Sequence, residues 1–178
     1  MALLVVSASL NSESYSRLLA REAERVLRAD GHQPAFLDLR ELPLPLCDGE
    51  KTYQDPNVLV ARNLIAAADG IVLAAPIYNY DVNAALKNFV ELTGKSWENK
   101  TVAFLCSAGG ASSYMSIMAL ANSLMLDFRC VVVPRFVYAT GDAFAGDRIT
   151  DAQIAARVAA CSRATQRLAT AVKAGGPL

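Results

Sequence analysis

Apolar residues in this chain fall in short unbroken runs, and that pattern restricts its fold more than any other feature. Residues 2–6, 70–75 and 101–106 read Ala-Leu-Leu-Val-Val, Gly-Ile-Val-Leu-Ala-Ala and Thr-Val-Ala-Phe-Leu-Cys, with no charged side chain among them. A strand with one face in water alternates apolar and polar residues, whereas a strand covered on both faces does not. Between the runs the period changes. Tyr15, Leu18, Leu19, Val26 and Leu27 recur at helical spacing, and Arg17, Arg21, Glu24 and Arg28 fill the other face.

The alternation continues along the chain. Gly31 is expected to stop the first helix, and residues 34–39 to form a second strand. Residues 41–56 hold three prolines and Gly49, which break regular structure. Helices are predicted over residues 57–68, 83–92 and 113–126, with Pro76 ending the third strand and a fifth strand over residues 130–133. Thr150 and Gln153 have the spacing of a capping box, which predicts a last helix running to about residue 173. Five strands interleaved with five helices require a parallel sheet covered on both sides, because parallel strands need long crossovers. With no sixth strand, the expected class is an α/β, flavodoxin-like three-layer fold with strand order 2-1-3-4-5. Ligands of such sheets bind beyond the carboxyl ends of the strands, where the strand order reverses.

Charge and composition exclude several functions. Lys plus Arg and Asp plus Glu are both 17, so a basic field for nucleic acid or anionic lipid is missing. No apolar stretch reaches the ~20 residues of a membrane span, and a cytoplasmic location is expected. The length of 178 residues fits one domain, residues 1–178. Cys47, Cys106, Cys130 and Cys161 lack metal-ligand spacing, and Cys47 alone is expected to be accessible. No metal site is expected.

Three loops at the carboxyl edge carry the candidate chemistry. The first, residues 7–16, places Ser7, Ser9, Ser12, Ser14, Ser16 and Asn11 before a helix N-terminus. Unpaired N–H groups and the positive end of the helix dipole favour an anion there, and hydroxyls add donors. One Ser or Asn would satisfy ordinary capping, so five serines favour a phosphate. The loop lacks the Gly spacing and Lys of a nucleoside-triphosphate loop, which fits a terminal monophosphate. The second loop, Pro76-Ile77-Tyr78-Asn79-Tyr80, could flank a planar ring, and an ordinary loop anchored by tyrosines would read the same way. The third, Ser107-Ala108-Gly109-Gly110, could bring backbone N–H groups close to a ligand or form a tight turn. Their conjunction on one edge matches the spacing that FMN needs.

The motifs Ala8-Ser9-Leu10-Asn11-Ser12-Glu13-Ser14-Tyr15-Ser16, Pro76-Ile77-Tyr78-Asn79 with Leu86-Lys87-Asn88, residues 107–110, and Leu42-Pro43-Leu44-Pro45-Leu46 resemble the NADPH-dependent FMN reductase family. That resemblance implies FMN as cofactor, NADPH or NADH as co-substrate, and a flavin, quinone, azo or similar acceptor. It implies Ser9, Asn11, Ser14, Tyr15 and Ser16 around the phosphate. Pro76, Ile77, Tyr78 and Asn79 would line the isoalloxazine, with Ser107, Gly109 and Gly110 along its other polar edge. The sequence departs from the family at Asn11, where Arg is frequent, and at Ile77, where Glu is frequent. Tyr80, Asp81, Asn83 and Ala84 likewise stand where Gly, Ser, Pro and Gly are common.

No general acid is needed for hydride to pass to a flavin, so no side chain is assigned a catalytic role. N–H groups of Gly109 or Gly110 would stabilise negative charge at the N1–C2=O edge of the reduced ring. The alternative function is a flavodoxin-type electron carrier without NAD(P)H turnover. A phosphoacceptor domain would need clustered acids after the first strand, where Ser7 and Ser9 stand, and an iron–sulfur flavoprotein would need clustered cysteines. A homodimer or homotetramer is expected. Met115, Met118 and Met125 read as helix-core residues that could also line an interface. Trp97 reads as a surface or interface residue, His32 as solvated, and Lys87 and Glu91 as an i,i+4 pair.

Overall fold

The computed structural model describes residues 1–176. Five parallel strands form its central sheet: Leu3–Ser7 (β1), Ala35–Asp38 (β2), Gly70–Tyr78 (β3), Thr101–Ala108 (β5) and Val137–Thr140 (β7). Two-residue strands complete it, Asp81–Val82 (β4) folding back on the end of β3 and Val131–Val132 (β6) on the start of β5. The order β2-β1-β3-β5-β7 is the expected 2-1-3-4-5 arrangement, with β4 and β6 set aside. A small hairpin, Phe144–Ala145 (β8) with Arg148–Ile149 (β9), lies outside this sheet.

Alternate residues of the continuous apolar runs serve two cores. Leu4, Val6, Ile71, Leu73, Val102 and Phe104 pack against Pro56–Ala67 (α2), Ala84–Thr93 (α3) and Met118–Phe128 (α4). Leu3, Val5, Val72, Ala74, Ala103 and Leu105 pack against Tyr15–Ala29 (α1) and Ala152–Gly175 (α5). The absence of strand polarity in the sequence is thus explained by burial on both faces. Gly70 opens β3 because a Cβ there would come within 2.9 Å of the Ala169 Cβ on α5.

Four local expectations are corrected. Pro76 does not end β3, which continues to Tyr78 with Pro76 in register with Ser107. The Pro76 carbonyl accepts from the Asn83 N–H, so the polar side of this residue faces away from β5. Pairing with β1 has already stopped at Ala74, and the missing proline donor leaves no ladder bond unmade. The fifth strand is also displaced. Only β6 forms within residues 130–133, and Pro134 with left-handed Arg135 (φ 62°) interrupts the edge before β7. A 3-10 segment, Ala111–Ile117, precedes α4 where one continuous helix from residue 113 was predicted. Finally, Asp151 rather than Thr150 caps α5, its carboxylate accepting from Gln153 N at 2.7 Å and Ile154 N at 3.2 Å.

Side-chain expectations divide similarly. Trp97 is fully buried, packs edge-on against Phe89, and donates from Nε1 to Thr93 Oγ1 at 2.7 Å. Met115, Met118 and Met125 are exposed rather than core, at 60%, 37% and 36% of their surface. His32 is half-buried, and Lys87 pairs with Glu91 at 3.0 Å. Cys106, Cys130 and Cys161 are buried and Cys47 is half-buried. Among the described residues no cluster could hold a metal ion, and no helix is long and apolar enough to cross a membrane.

Candidate functional site

The loops after β1, β3 and β5 converge on one open groove of about 610 Å³, lined by Asn11, Ser14, Tyr15, Pro76, Ile77, Tyr78, Asn79, Ser107 and Gly109. Its volume falls within the ~300–1,000 Å³ typical of small-molecule sites. A larger groove of 780 Å³ runs along α3 and α4, with Lys87, Glu91, Lys95, Glu98 and Asp127 in its walls. These charges mark it as a solvated surface, away from the carboxyl edge where such sheets bind ligands.

Nine of the twelve predicted residues therefore share one cavity. Ser9, Ser16 and Gly110 do not line it. Ser9 is 1% exposed, and its Oγ accepts from Asn11 N at 3.2 Å, so it shapes the loop from inside. Ser16 is fully buried, with Oγ 2.8 Å from Ser14 Oγ. Gly110 sits at the rim and accepts a hydrogen bond from the Tyr138 hydroxyl. Sequence reasoning missed Glu13, Ala108 and Gly141 in the lining. Gly141 follows β7, and with the last strand placed too early its loop went unread. Phe144 then holds this segment against the site by stacking on Tyr15, with ring centroids 4.4 Å apart.

Local physics makes the first loop receptive to an anion. Ser14 is the N-cap of α1, yet its side chain makes no hydrogen bond to the first-turn N–H groups. Arg17 N instead donates to the Ser14 carbonyl at 3.1 Å, and the N–H groups of Tyr15 and Ser16 with the positive end of the helix dipole face an anion, with no acidic residue in the first helical turn. Asn11 Oδ1 accepts from Glu13 N at 3.0 Å and fixes the loop's bend.

The second and third loops leave room for a flat ligand. Asn79 (φ 51°) and Tyr80 (φ 63°) are both left-handed and make the tight turn joining β3 to β4. Tyr78 is about half exposed at the groove, and Tyr80, two-thirds exposed, reaches Ser112 Oγ through its hydroxyl at 3.2 Å. A Cβ on Gly109 or Gly110 would meet no protein atom within 4 Å, and neither residue has positive φ. Neither crowding nor backbone conformation demands glycine there, which fits a loop kept bare for close approach of a ligand.

A parallel sheet of this order, with a polar helix N-terminus, an aromatic loop and a bare glycine loop at its switch point, defines a flavodoxin-like mononucleotide-binding protein. The chain belongs to the NADPH-dependent FMN reductase family, whose model matches residues 1–145. It is similar to an NAD(P)H-dependent FAD/FMN reductase of Geobacillus thermodenitrificans, 28% identical over 145 residues, covering 79% of this chain and 78% of the relative. An NADPH:quinone oxidoreductase of Arabidopsis thaliana is 31% identical over 138 residues, covering 74% and 70% respectively. The solved structure of the flavoenzyme NAD(P)H:(acceptor) oxidoreductase FerB from Paracoccus denitrificans shares the fold, with a TM-score of 0.74 at 20% identity over 93% of this chain and 97% of that one. The protein is an oxidoreductase that uses FMN and NAD(P)H.

Proposed function

We propose that residues 1–178 act as one FMN-binding domain that passes electrons from NAD(P)H to a small planar acceptor, a flavin, quinone or azo compound. The convergence of three loops on one groove at the carboxyl edge of the sheet carries this reading. FMN, when bound, supplies the redox chemistry, taking two electrons from the nicotinamide and giving them to the acceptor.

The residues supply binding and orientation. The N–H groups of Tyr15 and Ser16, the Ser14 hydroxyl and the loop around Asn11 would hold the phosphate. Pro76, Ile77, Tyr78 and Asn79 would form one wall against the ring, and Ser107 with the Gly109 N–H the polar edge opposite. Backbone donors fixed in advance stabilise negative charge there without reorganising. Ser9 and Ser16 act beneath the surface, holding Asn11 and Ser14 in place, and Gly110 keeps the rim open. With the groove open to solvent, nicotinamide and acceptor can use the same face in turn.

A homodimer or homotetramer is part of the reading. Met115, Met118, Met125 and Leu126 present an exposed apolar stripe, with Leu126 84% exposed, and such stripes usually mark interfaces.

An anaerobic titration tests the proposal. Protein reconstituted with FMN should lose its flavin absorbance on adding NADPH or NADH and regain it on adding a quinone. A protein that binds no FMN, or one whose bound flavin stays oxidised with both nucleotides, would overturn it.

A further inference from the structure

The guanidinium of Arg17 lies beneath the first loop with every N–H group engaged. Nε donates to Asp38 Oδ2 at 2.6 Å, and Nη2 to Asp38 Oδ1 at 3.2 Å and to the Ser9 carbonyl at 2.9 Å. Nη1 donates to the carbonyls of Asn11 and Ser12. These five bonds use the full donor capacity of an arginine. The ion pair is mostly buried, with 14% of the Arg17 side chain and 8% of the Asp38 side chain exposed.

This geometry has two consequences. The charge of Arg17 is matched by Asp38, and no N–H remains to reach a ligand. The loop carbonyls of residues 9, 11 and 12 are all drawn to one side. Every peptide here is trans, so the N–H that follows each carbonyl points the opposite way. Carbonyl oxygens left free near an anion would repel it. Gathered onto the guanidinium, they leave the N–H groups of Leu10 and Ser12 for the ligand, while Glu13 N donates to Asn11 Oδ1.

We infer that Arg17, anchored by Asp38 at the end of β2, is a positioning residue that polarises the phosphate loop through its carbonyls without touching the phosphate. The inference rests on the FMN reading above. Lysine cannot replace arginine in this role, because one ammonium has three donors and no planar fork.

The test compares FMN with riboflavin, which lacks the phosphate, by flavin-fluorescence titration of the apo protein. Arg17→Lys and Arg17→Gln should both weaken FMN binding by about ten-fold or more, the equivalent of one charge-assisted hydrogen bond. Riboflavin binding should change much less in both variants. If Arg17→Lys kept wild-type FMN affinity while Arg17→Gln lost it, charge rather than geometry would be the contribution, and the inference would fail. Equal losses for FMN and riboflavin would also overturn it, since the residue would then maintain the fold. Should either variant prove unstable, hydrogen exchange on the wild type gives an independent answer. Amides of Leu10 and Ser12 should be protected by FMN and not by riboflavin, and unchanged exchange there with FMN would refute the orientation argued here. Failure of the wild type to prefer FMN over riboflavin would instead count against the flavin-site reading itself.

Discussion

The side-chain amide of Asn83 donates a 2.7 Å hydrogen bond to the carbonyl of Ala8, joining the loop after β1 to the start of α3. Its own N–H donates to the Pro76 carbonyl at 3.2 Å, so one residue ties both walls of the groove together. Asn83 is 5% exposed, and both bonds depend on groups that asparagine supplies. A proline could make neither bond, because it lacks both the N–H and the amide.

Asn83→Ala should therefore cost ~1–3 kcal/mol of stability, as expected for a buried carbonyl that loses its donor. The two walls should loosen together, lowering FMN and riboflavin affinity by similar factors. Urea unfolding and paired flavin titrations measure both effects. A loss confined to FMN would mean that Asn83 acts on the phosphate alone.

Ser14 and Ser9 should behave differently although both belong to the first loop. Ser14 lines the groove, so Ser14→Ala should weaken FMN binding by roughly ten- to hundred-fold and riboflavin binding much less. Ser9 is enclosed and holds Asn11 N, so Ser9→Ala should disturb the loop and affect both ligands. Identical FMN-to-riboflavin ratios in the two variants would contradict this division.

What could be read in the sequence follows from how local the determining physics is. Apolar runs and helical periods depend on near neighbours, and they specified the five-stranded sheet and the three loops at its edge. Pro76 was misplaced because its tolerance depends on β1 ending first, a fact of pairing between distant segments. The same holds for Gly141, which enters the groove only once Pro134 has delayed the edge strand to Val137. Trp97 looked like a surface residue near a glycine turn, but Thr93 provides a partner one helical turn back that satisfies its indole. The carbonyls gathered by Arg17 have no signature in sequence, since any helix surface carries arginines.

Thiol titration should separate one cysteine from three. Burial pushes Cys106 up to about 12 and Cys130 and Cys161 each up to about 11. A chromogenic disulfide reagent should react rapidly with about one thiol, Cys47, in the native protein and with all four after unfolding.

The same shifts fix the sign of the alkaline pH dependence. Below roughly pH 8.5 the thiols are protonated in both states and their contribution to stability is complete. Above it the unfolded chain releases protons first, so stability should fall by up to ~1.4 kcal/mol per pH unit for each buried thiol. The fall should end as the folded thiols ionise near 11 to 12. Urea midpoints across this range should decline, and Cys161→Ala should reduce the slope.

The exposed stripe on α4 makes a prediction about assembly. Leu126→Glu places a charge on a side chain that is 84% exposed in one chain, so a monomer should tolerate it within ~0.5 kcal/mol. In an interface the same charge would be desolvated without a partner. Light scattering at micromolar concentration should give a dimer or tetramer for the wild type and a smaller species for the variant. A wild-type monomer would remove the interface.

Tyr80 poses the sharpest conflict between stability and function. Its φ of 63° is a left-handed conformation that glycine adopts freely and a bulky side chain does not. Asn79 at φ 51° completes a two-residue turn whose preferred sequence is Asn-Gly. The compensating contact, the Tyr80 hydroxyl on Ser112 Oγ at 3.2 Å, is exposed and contributes little. Tyr80→Gly should therefore stabilise the fold, by about 0.5–1 kcal/mol after the added freedom of the unfolded chain is subtracted. Strain of this kind persists where the side chain serves a site. Next in the chain to Asn79, which lines the groove, Tyr80 presents an exposed ring that a planar acceptor entering the groove would meet. Tyr80→Gly should then raise KM for aromatic acceptors several-fold while leaving NAD(P)H oxidation in single turnover unchanged. Tyr80→Phe, which keeps the ring and loses the hydroxyl, should resemble the wild type in KM. A glycine variant that is more stable with unaltered acceptor kinetics would show that the strain serves no contact with the acceptor, and a less stable one would show that the Ser112 bridge outweighs it.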